Sequence, residues 1–267
     1  MESSATGPVL ITGASSGIGA AFARRLAARG CDLLLTGRRP EPLAALAREL
    51  RSGYPIRVDT ALVELADERA LAELVERVRG MRLFMLINNA GYGQGSLFAE
   101  DPIDNVLRML QVHLTAALRL THAAIPGMIE RGGGAIINVA SLAALFPLPR
   151  NVAYCSTKAF LVSFSETLHL ELARHGIMVQ ALLPGFTRSA FHSRMGTRTY
   201  EGFGRRLVWM SAEKVARISL SRLGGGRVLC IPGAFNRMLA GLSRFIPKRL
   251  YYRAVRRGYD RLAGGGG

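Results

Sequence analysis

Short runs of leucine and β-branched residues alternate along this chain with longer stretches of helical periodicity. Such alternation is typical of βαβ units, in which parallel strands buried on both faces are joined by helical crossovers. Right-handed crossovers build a doubly wound sheet with helices on both faces. The predicted strands are Val9–Thr12, Asp32–Thr36, Ile56–Thr60, Leu83–Ile87, Ala135–Val139, Met178–Leu183 and Arg227–Ile231. We therefore predict an α/β fold with a seven-stranded parallel sheet.

The turn after the first predicted strand is rich in glycine and opens a helical stretch that runs from Ala20 to Ala28. Glycines let the backbone approach a diphosphate, whose charge is stabilised by the unpaired N–H groups of a helix N-terminus. Glycine also occurs in ordinary loops, so the evidence is the placement of the turn between strand and helix. We predict that a dinucleotide contacts Gly13, Ser15, Ser16, Gly17, Ile18 and Gly19.

The segment Gly37-Arg38-Arg39 follows the second predicted strand, where an acidic residue would bind the ribose 2′-hydroxyl of NAD. No acid stands there. A planar guanidinium suits a 2′-phosphate, which predicts NADP (NADPH) rather than NAD, with Arg38 as the main contact and Arg39 assisting. The alternative is a loop with two surface arginines.

Tyr154-Cys155-Ser156-Thr157-Lys158 places a phenol and an amine four residues apart. If the segment is helical, the two side chains share one face. A free phenol has a pKa of about 10, so it acts as an acid or base near neutrality only beside a cation that favours the phenolate. Lys158 would supply that charge. The alternative is a helix with a buried tyrosine and a solvated lysine.

Several motifs follow one another along the chain: the spacing TGxxxGxG, Asn88-Asn89-Ala90-Gly91, Ser141 before Tyr154, and Pro184-Gly185. Over about residues 8 to 235 the chain therefore resembles the short-chain dehydrogenase/reductase family. The resemblance implies a Rossmann-like fold and an enzyme that exchanges a hydride between a nicotinamide cofactor and a carbonyl or secondary alcohol. It also implies a homodimer or homotetramer.

The resemblance assigns expected roles to residues. Tyr154 is the proton donor, Ser141 holds the substrate oxygen, and Lys158 also binds the nicotinamide ribose. Contacts with the rest of the cofactor are implied for Asn89, Ala90, Gly91, Glu64, Pro184, Gly185, Thr187 and Ser189, the last two being alternatives for the carboxamide. His113 departs from the family, which has an asparagine that holds a water there. It could bind that water, relay a proton, or simply pack in a helix.

The segment Leu142–Pro149, expected beside the substrate, is wholly apolar, and Phe186, Phe191 and Trp209 add bulk. We therefore expect an apolar substrate rather than a sugar. Two other functions stay open. One is a non-catalytic NADP-binding regulator, since a fold does not fix a function; the other is an epimerase or dehydratase of the same family.

Composition narrows the partners. The net charge of +16 is spread through helical segments without a recognisable nucleic-acid module, so we expect solvated surface and no nucleic acid. Cys31, Cys155 and Cys230 lie far apart and form no CxxC pair, which suggests neither disulfides nor a metal site. No uncharged apolar run approaches the roughly 20 residues that span a bilayer. The expected location is cytoplasmic.

The C-terminal stretch, predicted as residues 236–267 of the domain that residues 1–235 begin, repeats apolar residues at helical spacing on both sides of Pro247. Two amphipathic helices are predicted. Eight basic residues accompany them, against the single acid Asp260. The apolar stripe could cover the substrate cleft or a partner subunit. Alternatively, it could lie on the inner face of a membrane as a peripheral anchor.

Overall fold

A computed structural model describes residues 7–93, 95–188, 209–243 and 245–264 of the 267-residue chain. Nine strands are described: β1 Val9–Ile11, β2 Leu33–Gly37, β3 Val58–Leu62, β4 Met85–Asn88, β5 Gly134–Val139, β6 Ile177–Leu182, β7 Thr187–Arg188, β8 Met210–Ser211 and β9 Leu229–Cys230. Nine α-helices accompany them: α1 Gly17–Ala27, α2 Pro40–Gly53, α3 Glu68–Arg79, α4 Ile103–Leu110, α5 Ala116–Glu130, α6 Val152–Leu172, α7 Ala212–Arg222, α8 Ala234–Leu242 and α9 Lys248–Gly264. A π-helical turn, Gln111–Thr115, joins α4 to α5.

The central sheet has seven parallel strands in the order β3-β2-β1-β4-β5-β6-β9. This confirms the predicted α/β fold and seven-stranded parallel sheet. The strand order reverses direction at β1, which pairs with β2 on one side and with β4 on the other. In open α/β sheets, ligands bind in the crevice at such a switch point, outside the carboxyl ends of the strands.

Side chains of the strands alternate between two apolar cores. Val9 and Ile11 pack with residues of α1, α2 and α7, whereas Leu10 packs on the opposite face with residues of α3, α5 and α6. Successive side chains of a strand point to opposite faces, so a strand buried on both sides is apolar at every position. The uniform leucine and isoleucine runs of the sequence have this physical origin.

All seven strands of the sheet differ from their predicted bounds by one or two residues at an end, and two of these differences have a visible cause. β3 begins at Val58 rather than Ile56, because the N–H of Ile56 donates to the carbonyl of Tyr54 in a turn after α2. β9 is shorter than the predicted Arg227–Ile231 because it lies at the sheet edge and is in register only with Ala181 and Leu182 of β6. Both differences lie at strand ends, where tertiary pairing decides the limit.

The two predicted C-terminal helices are present as α8 and α9. One line of α9 faces the protein, with Tyr251, Val255 and Tyr259 half-buried, while the basic positions around it are exposed. The turn between the helices carries Phe245, which is 84% exposed. No helix among the described residues is long and apolar enough to cross a bilayer. The peripheral membrane contact stays a prediction.

Candidate active site

A cleft of about 790 Å³ opens along the carboxyl ends of the central strands, at the switch point of the sheet. Its volume lies within the usual range for sites that bind small molecules and cofactors. One end is formed by the glycine-rich turn and the loop after β2, and the other by the segments after β5 and β6 together with α8. We call the first end the phosphate end, after the ligand group that the sequence leads us to expect there, and the second the apolar end.

The glycine-rich turn is packed so tightly that side chains are excluded. Gly13 has φ +63°, and a Cβ there would lie 2.9 Å from Cα of Ala90. A Cβ on Gly19 would lie 2.5 Å from Nδ2 of Asn89. The Asn89 amide donates to the carbonyls of Thr12, at 2.8 Å, and Gly13, at 3.1 Å. Asn89 thus fixes the turn at the start of α1, and the bare backbone of this cradle fits a diphosphate.

Two arginines border the phosphate end of the cleft. Nη2 of Arg39 donates to the hydroxyls of Ser15, at 3.3 Å, and Ser16, at 3.0 Å. Nη1 of Arg38 lies 3.5 Å from Oε2 of Glu64. Arg39 is therefore held against the turn, whereas Arg38 has one long contact with an acid. Both residues line the cleft, and planar guanidinium groups can bind phosphate oxygens through paired hydrogen bonds.

Ser141, Tyr154 and Lys158 meet at the carboxyl end of β5. Ser141 follows the strand, and its hydroxyl accepts a hydrogen bond from the N–H of Ala143 at 3.1 Å. α6 carries the other two on one face, as predicted from their spacing, and Nζ of Lys158 lies 5.7 Å from the centroid of the Tyr154 ring. All three side chains border the cleft.

Burial controls the protonation of this group. It raises the pKa of Tyr154 to about 12, although a hydrogen bond from Ser141 acts in the opposite direction. It lowers the pKa of Lys158 to about 8. Nζ of Lys158 donates to the carbonyl of Val139 at 2.9 Å, and the side chain is only 4% exposed. A buried ammonium without a carboxylate partner among the described residues favours any anion that forms nearby.

His113 lies in the π-helical turn beneath this group, 2% exposed and outside the residues that line the cleft. Its Nε2 accepts the N–H of Tyr92 at 3.0 Å, so in the neutral ring Nδ1 carries the proton. Nδ1 then donates to the Thr157 hydroxyl at 3.0 Å, which donates to the carbonyl of Tyr154 at 2.8 Å. Burial and the charge of Lys158 hold the pKa of His113 well below its usual value. Both ring nitrogens are thus engaged with the protein.

The opposite end of the cleft is apolar. Leu142, Ala143, Phe146 and Leu148 of the segment after β5 line it, as does Phe186, whose ring centroid lies 5.4 Å from that of Trp209. The C-terminal helices complete this wall.

Leu239 and Asn236 of α8 line the cleft. On α9, the hydroxyl of Tyr251 donates to the carbonyl of Pro147 at 2.8 Å, and its ring lies 6.2 Å from that of Phe146. The tail therefore packs beside the substrate end rather than apart from the domain.

Most of the site residues predicted from the sequence line this cleft. Those on its lining are Gly13, Ser15, Ser16, Gly17, Ile18, Arg38, Arg39, Glu64, Asn89, Ala90, Gly91, Ser141, Tyr154, Lys158, Pro184, Gly185 and Thr187. Gly19 packs under the turn, and His113 lies below the lining. Ser189 and Phe191 lie outside the described residues. Asn236 was not predicted from the sequence. Its amide packs against Gly185 so closely that a Cβ on Gly185 would lie 2.7 Å from Nδ2 of Asn236.

Comparisons with known proteins agree with this geometry. Residues 8–199 match the family model described as short chain dehydrogenase. Sulfoacetaldehyde reductase 2 of Chromohalobacter salexigens is 37% identical over 187 residues, 68% of this chain and 73% of that protein. Very-long-chain 3-oxoacyl-CoA reductase of Macaca fascicularis is 33% identical over 181 residues, 66% of this chain, and this match spans only 58% of the relative.

A similar solved structure is the short-chain dehydrogenase from Sphingobium yanoikuyae in complex with NADPH. It superposes with a TM-score of 0.80 at 34% identity, over 90% of this chain and 96% of that one. The glycine-rich turn, the Ser141, Tyr154 and Lys158 group and the family match over most of the chain lead to one conclusion: the chain belongs to the short-chain dehydrogenase family of oxidoreductases.

Proposed function

We propose that this protein is an NADP-dependent reductase of apolar ketones or aldehydes, or the corresponding alcohol dehydrogenase. The observation that carries the proposal is the meeting of Ser141, Tyr154 and Lys158 at a cleft with a phosphate end and an apolar end. When bound, the nicotinamide would supply or accept the hydride. The residues described below would orient the substrate and move the proton.

In carbonyl reduction, Tyr154 donates its proton to the substrate oxygen while Ser141 donates a hydrogen bond to the same oxygen. The raised pKa of Tyr154 keeps the phenol protonated at neutral pH, which suits a proton donor. As its proton leaves, a phenolate forms beside the ammonium of Lys158, and this charge favours the product of the transfer. Oxidation of an alcohol reverses these steps.

His113 acts in this proposal as a positioning residue rather than a proton relay. Its two nitrogens connect the backbone of Tyr92 to the hydroxyl of Thr157 and so brace the first turn of α6, which carries Tyr154. A neutral ring beside Lys158 also adds no repulsion to the ammonium. Groups other than the imidazole would then hold the water that passes protons to Lys158.

The choice of NADP rests on charge. Arg38 and Arg39 border the phosphate end, and no acidic residue follows β2 directly. A similar structure is described as a complex with NADPH. Asn89, Ala90 and Gly91 would line the ribose path, and Pro184, Gly185 and Thr187 the nicotinamide side.

The choice of an apolar substrate rests on the lining of the other end. Leu142, Phe146, Leu148, Phe186 and Leu239 offer hydrocarbon surface, and burial of apolar area favours a substrate of the same character. One relative is named for long-chain acyl substrates and another for a small sulfonated aldehyde. The apolar lining favours the first kind. The predicted homodimer or homotetramer stays a prediction.

Tyr154→Phe should lower the rate of carbonyl reduction by 10²- to 10⁴-fold, the usual contribution of a general acid, because the ring remains and the proton donor is lost. NADPH oxidation would be followed with a panel of aliphatic, aromatic, acyl-thioester and steroid carbonyls. Tyr252→Phe, at an exposed tyrosine, is the matched control. A Tyr154→Phe protein with more than about a tenth of the parent rate contradicts the assignment.

The same panel separates the other functions. Tight NADPH binding without turnover of any carbonyl would indicate a binding regulator. Conversion of a substrate with no net change in NADPH would indicate epimerisation or dehydration.

Lys158 should make stability rise with pH. Its pKa is about 8 in the folded protein and about 10.4 in an unfolded chain, so the unfolded state binds more protons between these values. The cost of burying the ammonium is fully present below pH 8 and is relieved above it. Relative to Lys158→Met, the free energy of unfolding should increase by on the order of 2–3 kcal/mol between pH 7 and pH 10.

Urea unfolding of the cofactor-free protein measures this. The chain has only three lysines, and Lys214→Met, at an exposed position, should leave the pH profile unchanged. Measurements stop at pH 10, because the pKa of Tyr154 is about 12 in the folded protein and about 10 in an unfolded chain, so this phenol lowers stability as the pH rises from 10 to 12. Parallel profiles for the parent and Lys158→Met would show that the amine titrates normally.

Arg38→Ala should weaken NADPH binding about tenfold or more and change NADH binding less than about twofold, because only NADPH carries the 2′-phosphate. Cofactor titration by fluorescence gives both dissociation constants. Arg48→Ala removes the same charge from an exposed site on α2 and is the control. Equal losses for the two cofactors, or a parent protein that prefers NADH, would count against NADP.

Leu239→Asn should raise KM for bulky apolar ketones several-fold and have little effect on small ones, because it places an amide in the apolar wall. Its neighbour Met238, 53% exposed and absent from the lining, supplies the control Met238→Asn. If both variants behave alike, α8 does not contact the substrate.

A further inference from the structure

The carboxylate of Glu64 is a fixed negative charge at the phosphate end of the cleft. Its Oε1 accepts the N–H of Ala66 at 3.2 Å, and the N–H of Val63 donates to the carbonyl of Gly37 at 3.0 Å, which ties this segment to the end of β2. Burial alone would raise the pKa of Glu64. The Ala66 N–H and the guanidinium groups of Arg108 and Arg38 nevertheless hold the pKa below its usual value, so the group is charged at neutral pH.

Two arginines approach the same oxygen of this carboxylate from different parts of the chain. Nη2 of Arg108, on α4, lies 2.7 Å from Oε2, whereas Nη1 of Arg38, after β2, lies 3.5 Å away. The shorter contact is a good charge-assisted hydrogen bond and the longer one is at the limit. Within the described part of the chain, Arg38 has no other polar partner.

An acid beside Arg38 poses a problem for NADP binding. It repels the additional phosphate, and it competes with that phosphate for the Arg38 guanidinium. In the structure, Arg108 takes the stronger contact with Glu64 and leaves Arg38 the weaker one.

We propose that Arg108, which does not itself line the cleft, is a positioning residue that determines cofactor choice: it neutralises Glu64 and so keeps Arg38 available for the 2′-phosphate. This inference rests on the proposed use of NADP.

Among the residues that the structure describes, removal of Arg108 leaves Arg38 as the one cationic partner of Glu64. Binding of NADPH must then break that pair and place a phosphate beside an uncompensated carboxylate. The side chains of Arg38 and Arg108 are each about half-exposed. Solvent therefore screens their interactions with Glu64, and the loss of NADPH affinity is modest. NADH lacks the phosphate and encounters neither penalty. The selectivity of the loss therefore distinguishes this role from a structural one.

The test compares dissociation constants for NADPH and NADH, measured by fluorescence titration without substrate, in the parent, Arg108→Gln, Glu64→Gln and the double variant. We expect Arg108→Gln to weaken NADPH about five- to tenfold and NADH less than twofold. Glu64→Gln removes the acid that Arg108 neutralises, so the double variant should bind NADPH within about twofold of Glu64→Gln alone. The Arg108→Gln loss should shrink at high salt.

Arg77→Gln is the matched control, because Arg77 pairs with Asp59 at 3.2 Å on an exposed surface outside the cleft. It should leave both constants unchanged, and thermal midpoints report whether each variant folds. If Arg108→Gln weakened the binding of NADPH and NADH equally, Arg108 would have only a structural role in holding α4, and the inference would be overturned. A loss that persists in the Glu64→Gln background would also overturn the inference. A parent protein that does not prefer NADPH would overturn the proposed cofactor as well.

Discussion

The contact between Asn89 and the glycine-rich turn is the constraint on which the cleft depends. It joins the carboxyl ends of β1 and β4, where the strand order reverses, because the Asn89 amide bonds the Thr12 and Gly13 carbonyls. The Thr12 hydroxyl in turn accepts the N–H groups of Asn89 and Ala90, both at 3.0 Å. A Cβ on Gly13 or Gly19 would push these segments apart. Close approach of two backbones thus shapes the glycine-rich turn at one end of the cleft.

The two ends of the cleft also differ in their electrostatic environment. At the phosphate end Arg38 is about half-exposed and Arg39 is part-buried, so solvent screens their charges, whereas Lys158, beside Ser141 and Tyr154, is a buried ammonium. Lys158 donates to the carbonyl of Val139, and its Nζ lies 5.7 Å from the centroid of the Tyr154 ring. His113 stays neutral beneath it, so the imidazole adds no second positive charge at this end of the cleft. A dinucleotide with an anionic end and a neutral carbonyl substrate match these two environments.

The sequence predicted the fold and the placement of Tyr154 and Lys158 on one helix, because both are encoded locally. Strand runs buried on two faces and an i, i+4 pair on α6 need no knowledge of tertiary contacts. Contacts between distant segments were not predictable in the same way. Arg108 meets Glu64 across 44 residues, and Asn236 reaches Gly185 from α8. For His113, the sequence predicted its position in the order of family motifs. It did not predict the hydrogen-bond partners of the two ring nitrogens, because these depend on a π-helical turn.

Chemistry and specificity therefore have different structural sources in this protein. Tyr154, the proposed proton donor, and Lys158, its proposed cation, both lie on α6, which packs against β5 and β6 of the sheet. The apolar wall consists of the segment after β5, Phe186 and the helices α8 and α9. The contact of α9 with Pro147 and Phe146 lies at the surface of the protein. Such a wall can change by substitution of a few side chains without disturbing Tyr154. Relatives named for substrates as unlike as a sulfonated aldehyde and a long acyl chain are the outcome expected of that separation.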